Sequence, residues 1–108
     1  MSVSFVLEGV PFIAFNGGPF FKFTPAVSLF VDCEDQAEVD RLWEALIQGG
    51  EPSQCGWLTD RYGLTWQIVP RILNEALNHP DPIKARQAME AMLKMVKLDC
   101  SVFEDILK

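Results

Sequence analysis

The residues that could do chemistry crowd into one stretch, Gln54 to Pro70, which carries Cys55, Trp57, Thr65, Trp66 and Gln67. Cys55 offers a thiol, the two tryptophans offer flat apolar faces, and Thr65 offers a hydroxyl. Gln67 carries a donor and an acceptor on one head. Side chains alternate along a strand, so Thr65, Gln67 and Val69 share one face while Leu64, Trp66 and Ile68 share the other. Gln67 is then a single amide among small and apolar groups. It holds a polar ligand atom or it requires a partner from the protein. Each candidate has a structural alternative: large aromatics in small sheets commonly fill the core, and an unpaired cysteine commonly acts as a small buried hydrophobe. Asn16, which precedes Gly17-Gly18, is a further candidate contact, with turn formation as its structural role. His79 is the only histidine and lies between Asn78 and Pro80, where no Cys-His or Ser-His pair is suggested. Asp35, Glu38, Asp40 and Glu44 fall on the exposed side of a helix, where carboxylates solvate the surface.

The elements that position these residues follow from pattern. Gln54 to Pro70 reads as a hairpin, with Asp60-Arg61-Tyr62-Gly63 as its connection and Pro70, which has no N–H, ending its second strand. Ahead of it, Val3–Glu8 and Pro11–Phe15 read as short strands joined at Gly9-Val10 and closed by Asn16-Gly17-Gly18-Pro19. Ala26 to Asp32 reads as a third strand. A helix is predicted over Gln36 to Gln48, with Asp35 as N-cap, Glu38 completing a capping box and Gly49-Gly50 as the stop. Val39, Leu42, Trp43, Leu46 and Ile47 recur at helical spacing. Glu51-Pro52-Ser53 reads as a connection. After Pro70 the composition turns to helix formers: Arg71 to Leu77, a break at Asn78-His79-Pro80, a restart at Asp81-Pro82, and a last helix from Asp99 to about Leu107. Ala85, Ala88, Met89, Met92 and Val96 are expected along one face of the restarted helix.

At 108 residues with 49% apolar composition, the chain is expected to form one domain with a core. A net charge of −6, with no basic cluster, argues against nucleic acid. The apolar run from Val10 to Phe21 is broken by Pro11, Gly17, Gly18 and Pro19, so no membrane span or targeting segment is read. Cys33, Cys55 and Cys100 are odd in number and widely spaced, suggesting neither a disulfide framework nor a zinc site. A reducing cytoplasm is the expected setting.

Four motifs in order carry a family resemblance: Pro11-Phe12-Ile13-Ala14-Phe15-Asn16-Gly17-Gly18-Pro19, Glu38-Val39-Asp40-Arg41-Leu42-Trp43, Gln54-Cys55-Gly56-Trp57-Leu58-Thr59-Asp60 and Trp66-Gln67-Ile68-Val69-Pro70-Arg71. Together they resemble the PhnB-like proteins, often labelled 3-demethylubiquinone 3-methyltransferase domains, of the vicinal oxygen chelate (glyoxalase and bleomycin-resistance) superfamily. The resemblance implies an α+β fold of βαβββ modules curled into a cup. It assigns residues 25–70 to a full module, 1–24 to the last two strands of a preceding module, and 71–108 to a helical tail. It also implies about forty residues ahead of Met1 and an uncovered edge at Val3–Glu8.

Superfamily metal ligands fall, by that resemblance, at about Ala14, Ala26 and Gln67. Methyl groups do not coordinate and an amide is a poor ligand, so no metal and no cofactor are expected. The methyltransferase label lacks a strand, Gly-rich turn and helix to hold S-adenosylmethionine. The reading is therefore a metal-free cup that holds a small molecule, with Gln67, Trp57, Trp66, Thr65, Cys55 and Asn16 as candidate contacts. Enzymatic alternatives are methyl transfer or lyase- or oxygenase-like chemistry, and a third reading is an interaction domain. A homodimer that covers the open edge is expected.

Overall fold

The computed structural model describes residues 1–108, which form two sheets and four helices in an α+β arrangement. Strands β1 (Ser2–Leu7) and β2 (Val10–Phe15) make an antiparallel hairpin with Leu7 opposite Val10. Between them Glu8 and Gly9 both take positive φ, 49° and 78°. That is the signature of a type I′ turn, whose twist matches the strands it joins. Glu8 is therefore a turn residue rather than the end of a strand, and Val10 is a strand residue rather than part of the connection.

The second sheet has the order β3-β6-β5-β4, from β3 (Ser28–Cys33), β4 (Glu51–Pro52), β5 (Trp57–Thr59) and β6 (Thr65–Pro70). Because β3 and β6 run parallel, they need a crossover rather than a hairpin, and α1 (Gln36–Ile47) opens it. The helix begins where the Asp35 carboxylate accepts from the Glu38 N–H at 3.0 Å. The Glu38 carboxylate reaches back to the Glu34 N–H at 3.1 Å, one residue beyond the capping-box position. Strand β4 replaces what the sequence presents as a plain connection. Two residues are too few to show alternation, and Pro52 is tolerated because β4 is an edge.

Ile68 and Val69 are neighbours that point to opposite faces, and they join different apolar clusters. Ile68 meets Cys33, Val39, Trp43 and Leu58 beneath α1, with Trp66, Leu42 and Leu46 around them. Val69 meets Leu73, Ala76, Ala88, Leu98 and Phe103. These belong to the tail, which comprises α2 (Arg71–Leu77), α3 (Pro82–Leu93) and α4 (Cys100–Leu107) with the loop before α4. Leu58, Ile68, Leu98 and Phe103 are fully buried, and each contributes about 1.5–3 kcal/mol of hydrophobic stabilisation. The packed face of α3 differs from the expected one: Ala88, Ala91 and Met92 face the core, joined by Met95 from beyond the helix. Met89 lies about 100° round the helix from Ala88 and is exposed, and Val96 falls past the helix end at Leu93.

The tail is fastened by polar contacts distant in sequence. The N–H groups of Cys55 and Gly56 donate to the Met95 and Val96 carbonyls at 2.8 and 2.7 Å. Gln36 on α1 donates through Nε2 to the Leu98 carbonyl and accepts through Oε1 from the Cys100 N–H. Lys97 pairs with Asp40. The hairpin β1–β2, by contrast, stands away from the rest. The molecule measures 51 × 26 × 22 Å with a radius of gyration of 15.9 Å, against about 13 Å for a compact domain of this length.

Candidate functional site

Strand β6 sets the site because it is central and its residues are paired on both sides. Gln67 lies opposite Phe30 of β3 and opposite Trp57 of β5. Paired residues on neighbouring strands share a face, so Phe30, Gln67 and Trp57 form a row across three strands spaced about 4.7–4.9 Å apart. Phe30 is 60% exposed, while Gln67 and Trp57 are half-buried. The Gln67 Nε2 donates to the Ser28 Oγ at 2.8 Å, and this bond orients the amide. Oε1 has no partner in the protein and is free to accept. The row thus offers two flat apolar surfaces flanking one hydrogen-bond acceptor. At the end of the same face Asp32 pairs with Arg71 at 3.3 Å.

Not all the residues read from sequence come together here. Thr65 shares the Gln67 face but is only 3% exposed, and Val69 is covered by the tail rather than forming part of an open floor. Trp66 points to the opposite face, beneath α1, and its Nε1 donates to the Asp60 Oδ2 at 2.9 Å. The other oxygen of Asp60 accepts from the Tyr62 and Leu64 N–H groups, so one carboxylate both closes the β5–β6 turn and fixes the indole. Trp66 and Gln67 are adjacent in sequence yet cannot contact the same small ligand through one face of the sheet. Cys55 is half-exposed at φ 60°, with its N–H committed to the tail. Asn16 lies in the separate hairpin, where its N–H donates to the Met1 carbonyl.

Phe30 and Ser28 are site residues that the sequence pattern did not single out. The signal is the alternation in β3: Leu29, Val31 and Cys33 take the helix-covered face, which leaves an exposed Phe between Ser28 and Asp32 on the other. A second concavity, of about 830 Å³, lies around the outer edge of β3, between the hairpin (Leu7, Val10, Phe12) and α1 (Leu42, Leu46), with Trp66 at its floor.

The residues that the family resemblance sets at metal-ligand positions are dispersed: Ala14 is in the hairpin, Ala26 is exposed ahead of β3, and Gln67 is in the larger sheet. No three of His, Cys, Asp and Glu stand close enough together to hold a metal ion. His79 accepts at Nδ1 from the Asp81 N–H, closing the turn before α3. Burial, then the neighbouring Glu38 and Asp32 carboxylates, pushes the Cys33 thiol up to about 11. Burial, then Glu104 and Asp99, raises Cys100 as well. Both are protonated at neutral pH and poor nucleophiles.

Comparison with known proteins adds a family. A family model described as 3-demethylubiquinone-9 3-methyltransferase matches residues 1–69. Among solved structures, the chain is similar to a protein from Bacillus cereus described as a putative 3-demethylubiquinone-9 3-methyltransferase, PhnB protein. The two share 33% identity over 65% of this chain and 64% of that one, with a TM-score of 0.60. It is also similar in fold to protein PA1353 from Pseudomonas aeruginosa, at 22% identity over 65% of this chain and 62% of that one, with a TM-score of 0.54. The chain therefore spans just under two thirds of the length of either. No curated protein matches it. The family match ends at Val69, immediately ahead of the tail helices.

Proposed function

We propose that this chain, which belongs to the 3-demethylubiquinone-9 3-methyltransferase family of PhnB-like, glyoxalase-fold proteins, is a binding module that holds a small flat molecule on the Phe30–Gln67–Trp57 row. The observation that carries the reading is the Gln67 amide: Nε2 is held by Ser28 while Oε1 is left to accept between two aromatic side chains. A ligand suited to that arrangement has an aromatic or otherwise planar body and an N–H or O–H donor on its rim. Binding requires no metal, because alanines stand at two of the superfamily's ligand positions and an amide at the third. The setting is the cytoplasm, in keeping with three free cysteines and with the absence of any helix long and apolar enough to cross a membrane.

Methyl transfer, which the family description names, finds little support in this chain's residues. The connection from parallel strand β3 to the N-terminus of α1 is Glu34-Asp35, with no glycine and two carboxylates. The adenosyl cofactor, held at such a turn, needs the close backbone approach that glycine allows and that the side chains of Glu34 and Asp35 hinder.

Native mass spectrometry of protein purified gently from cells tests the reading. A small-molecule adduct on the wild type that is lost in Gln67→Ala, with the fold intact by circular dichroism, supports it. An adduct unchanged by Gln67→Ala and by Trp57→Ala removes the row as the site. Incubation with S-adenosylmethionine separates the enzymatic alternative, since specific binding of that cofactor contradicts the exclusion drawn from Glu34-Asp35.

A further inference from the structure

Directly beside the Phe30–Gln67–Trp57 row, on the same face of the sheet, runs a row of hydroxyls. Thr65 lies opposite Ser28 of β3 and opposite Thr59 of β5. It stands two residues before Gln67, so the rows are about 6.6 Å apart along the strands. The Gln67 amide bridges them, since its Nε2 reaches the Ser28 Oγ at 2.8 Å. In that bond the Ser28 oxygen accepts, so its own O–H is left to donate, and it donates to no group of the protein. Thr65 is only 3% exposed and its hydroxyl has no partner, yet no fully enclosed side-chain oxygen in the protein lacks one. The small surface that Thr65 presents therefore includes Oγ1. A hydroxyl buried without a hydrogen bond costs stability, and this one is set where a molecule lying on the face can meet it.

These groups specify a ligand edge. The Gln67 Oε1 accepts, while the Ser28 and Thr65 hydroxyls, on paired residues of neighbouring strands, donate. A carbonyl oxygen has two lone pairs and can take both donors. The hydroxyl row ends at Glu51 of β4, opposite Thr59, and at the other end of the face Arg71 is already paired with Asp32. No free cation is left to offset the desolvation of an anion, so the edge that fits is neutral. It carries an N–H or O–H donor next to a C=O. An O–H and a C=O on adjoining atoms of a flat ring bond to each other, and both are used up. The N–H and C=O of a primary amide or a lactam lie side by side on one edge, cannot bond to each other, and stay available to the protein.

We propose that the molecule held on this face is a neutral planar amide or lactam, an inference that rests on the binding role given above to the Phe30–Gln67–Trp57 row. Its N–H donates to the Gln67 Oε1, its carbonyl oxygen accepts from the Ser28 and Thr65 hydroxyls, and its flat body lies against Phe30 and Trp57. Ser28 then has two tasks: it orients the Gln67 amide and it reads the ligand carbonyl. Thr65 has only the second. A site whose polar groups are built to pair discriminates against analogues that leave one of them unpaired.

Titration of the full chain with benzamide, phenol and acetophenone, followed at the Trp57 indole N–H by NMR, tests the proposal. Benzamide offers both donor and carbonyl, phenol offers the donor without a carbonyl, and acetophenone offers the carbonyl without a donor. Each hydrogen bond should appear as a gain of about two- to tenfold in affinity, so benzamide should bind tightest of the three. Thr65→Val leaves the Ser28–Gln67 bond in place; it should weaken benzamide by about two- to tenfold and leave phenol unchanged. Ser28→Ala should erase the preference for benzamide over phenol, and Ser28→Thr, which keeps the hydroxyl, should retain it. Equal affinity of the wild type for benzamide and phenol, or a preference for benzamide that survives both Thr65→Val and Ser28→Ala, would overturn the amide class while leaving the aromatic row in place. Failure of all three probes to shift Trp57 would overturn the row itself and this inference with it.

Discussion

Replacing Gly56 by alanine should destabilise the protein far more than the same change at Gly63, and the difference measures how tightly the tail is seated on the sheet. Both glycines have positive φ, +85° and +88°. An alanine at either pays the left-handed backbone penalty of about 1–2 kcal/mol. A Cβ at Gly63 meets nothing within 4 Å. At Gly56 it would sit 2.7 Å from the Leu98 Cδ1 and 2.9 Å from the Ile68 carbonyl oxygen. Leu98 is fully buried and cannot swing aside, and the carbonyl belongs to central strand β6, so overpacking adds about 1–3 kcal/mol. Gly56→Ala should therefore cost about 2–5 kcal/mol in total, against a stability on the order of 5–16 kcal/mol for a chain of this length. Urea unfolding followed by tryptophan fluorescence gives both values by linear extrapolation. Amide exchange at Cys55 and Gly56, whose N–H groups bond the Met95 and Val96 carbonyls, should also accelerate in Gly56→Ala alone. Equal losses in the two variants would refute the close approach of Leu98.

Four other outcomes follow from the burial and hydrogen bonding of single side chains. With Ellman's reagent at pH 8, half-exposed Cys55 should react first, while Cys33 and Cys100 should react only as the protein unfolds. The Cys33 thiol is raised from 9.0 to about 11, so its contribution to stability is fully present below pH 9 and is lost as pH climbs towards 11; Cys33→Ala should flatten that alkaline limb in urea titrations. Hydrogen bonds from Lys97 and then Gln36 hold the Asp40 carboxyl below its ordinary range, so their contribution is present above the unfolded carboxylate pKa and fades as pH falls through the lower folded value. Lys97→Met should shrink the acid limb of the stability profile, measured by urea unfolding at stepped pH. Trp66→Ala should cost about 2–4 kcal/mol, somewhat under the 3–5 of a fully buried aromatic because the ring is only half-buried, whereas Gln67→Ala should lose about 0.5–1.5 kcal/mol with its single bond to Ser28.

Local chemistry is legible in the sequence and long-range docking is not. Asp35 with Glu38, Asp81 with Pro82, and Asp99 mark three helix starts, because a cap is an interaction between residues two or three apart. The period-two alternation in β6 likewise suffices to put Trp66 and Gln67 on opposite faces. Phe30 escapes such a pattern because its meaning depends on register: only pairing with β6 puts it beside Gln67. Gln36 reads as an ordinary first-turn residue, yet its amide joins α1 to Leu98 and Cys100, more than sixty positions away. Gly56 reads as a turn glycine for the same reason. The need for it comes from Leu98, which no local pattern reveals. The tail also changes the site, since it covers Val69 and so limits the open part of that face to the row through Gln67 and the Asp32–Arg71 end.

The proposed role of the Phe30–Gln67–Trp57 row is to bind planar molecules bearing a hydrogen-bond donor. The most direct measurement is a proton–nitrogen NMR titration with phenol and benzamide as probes. The indole N–H of Trp57 and the side-chain NH₂ of Gln67 report the row, and Trp66, on the opposite face and tied to Asp60, serves as the internal control. Saturable shifts are expected at Trp57 and Gln67, with Trp66 still and the Gln67→Ala variant weakened. Shifts confined to Trp66, or no saturable shift at Trp57 and Gln67 with either probe, would contradict it.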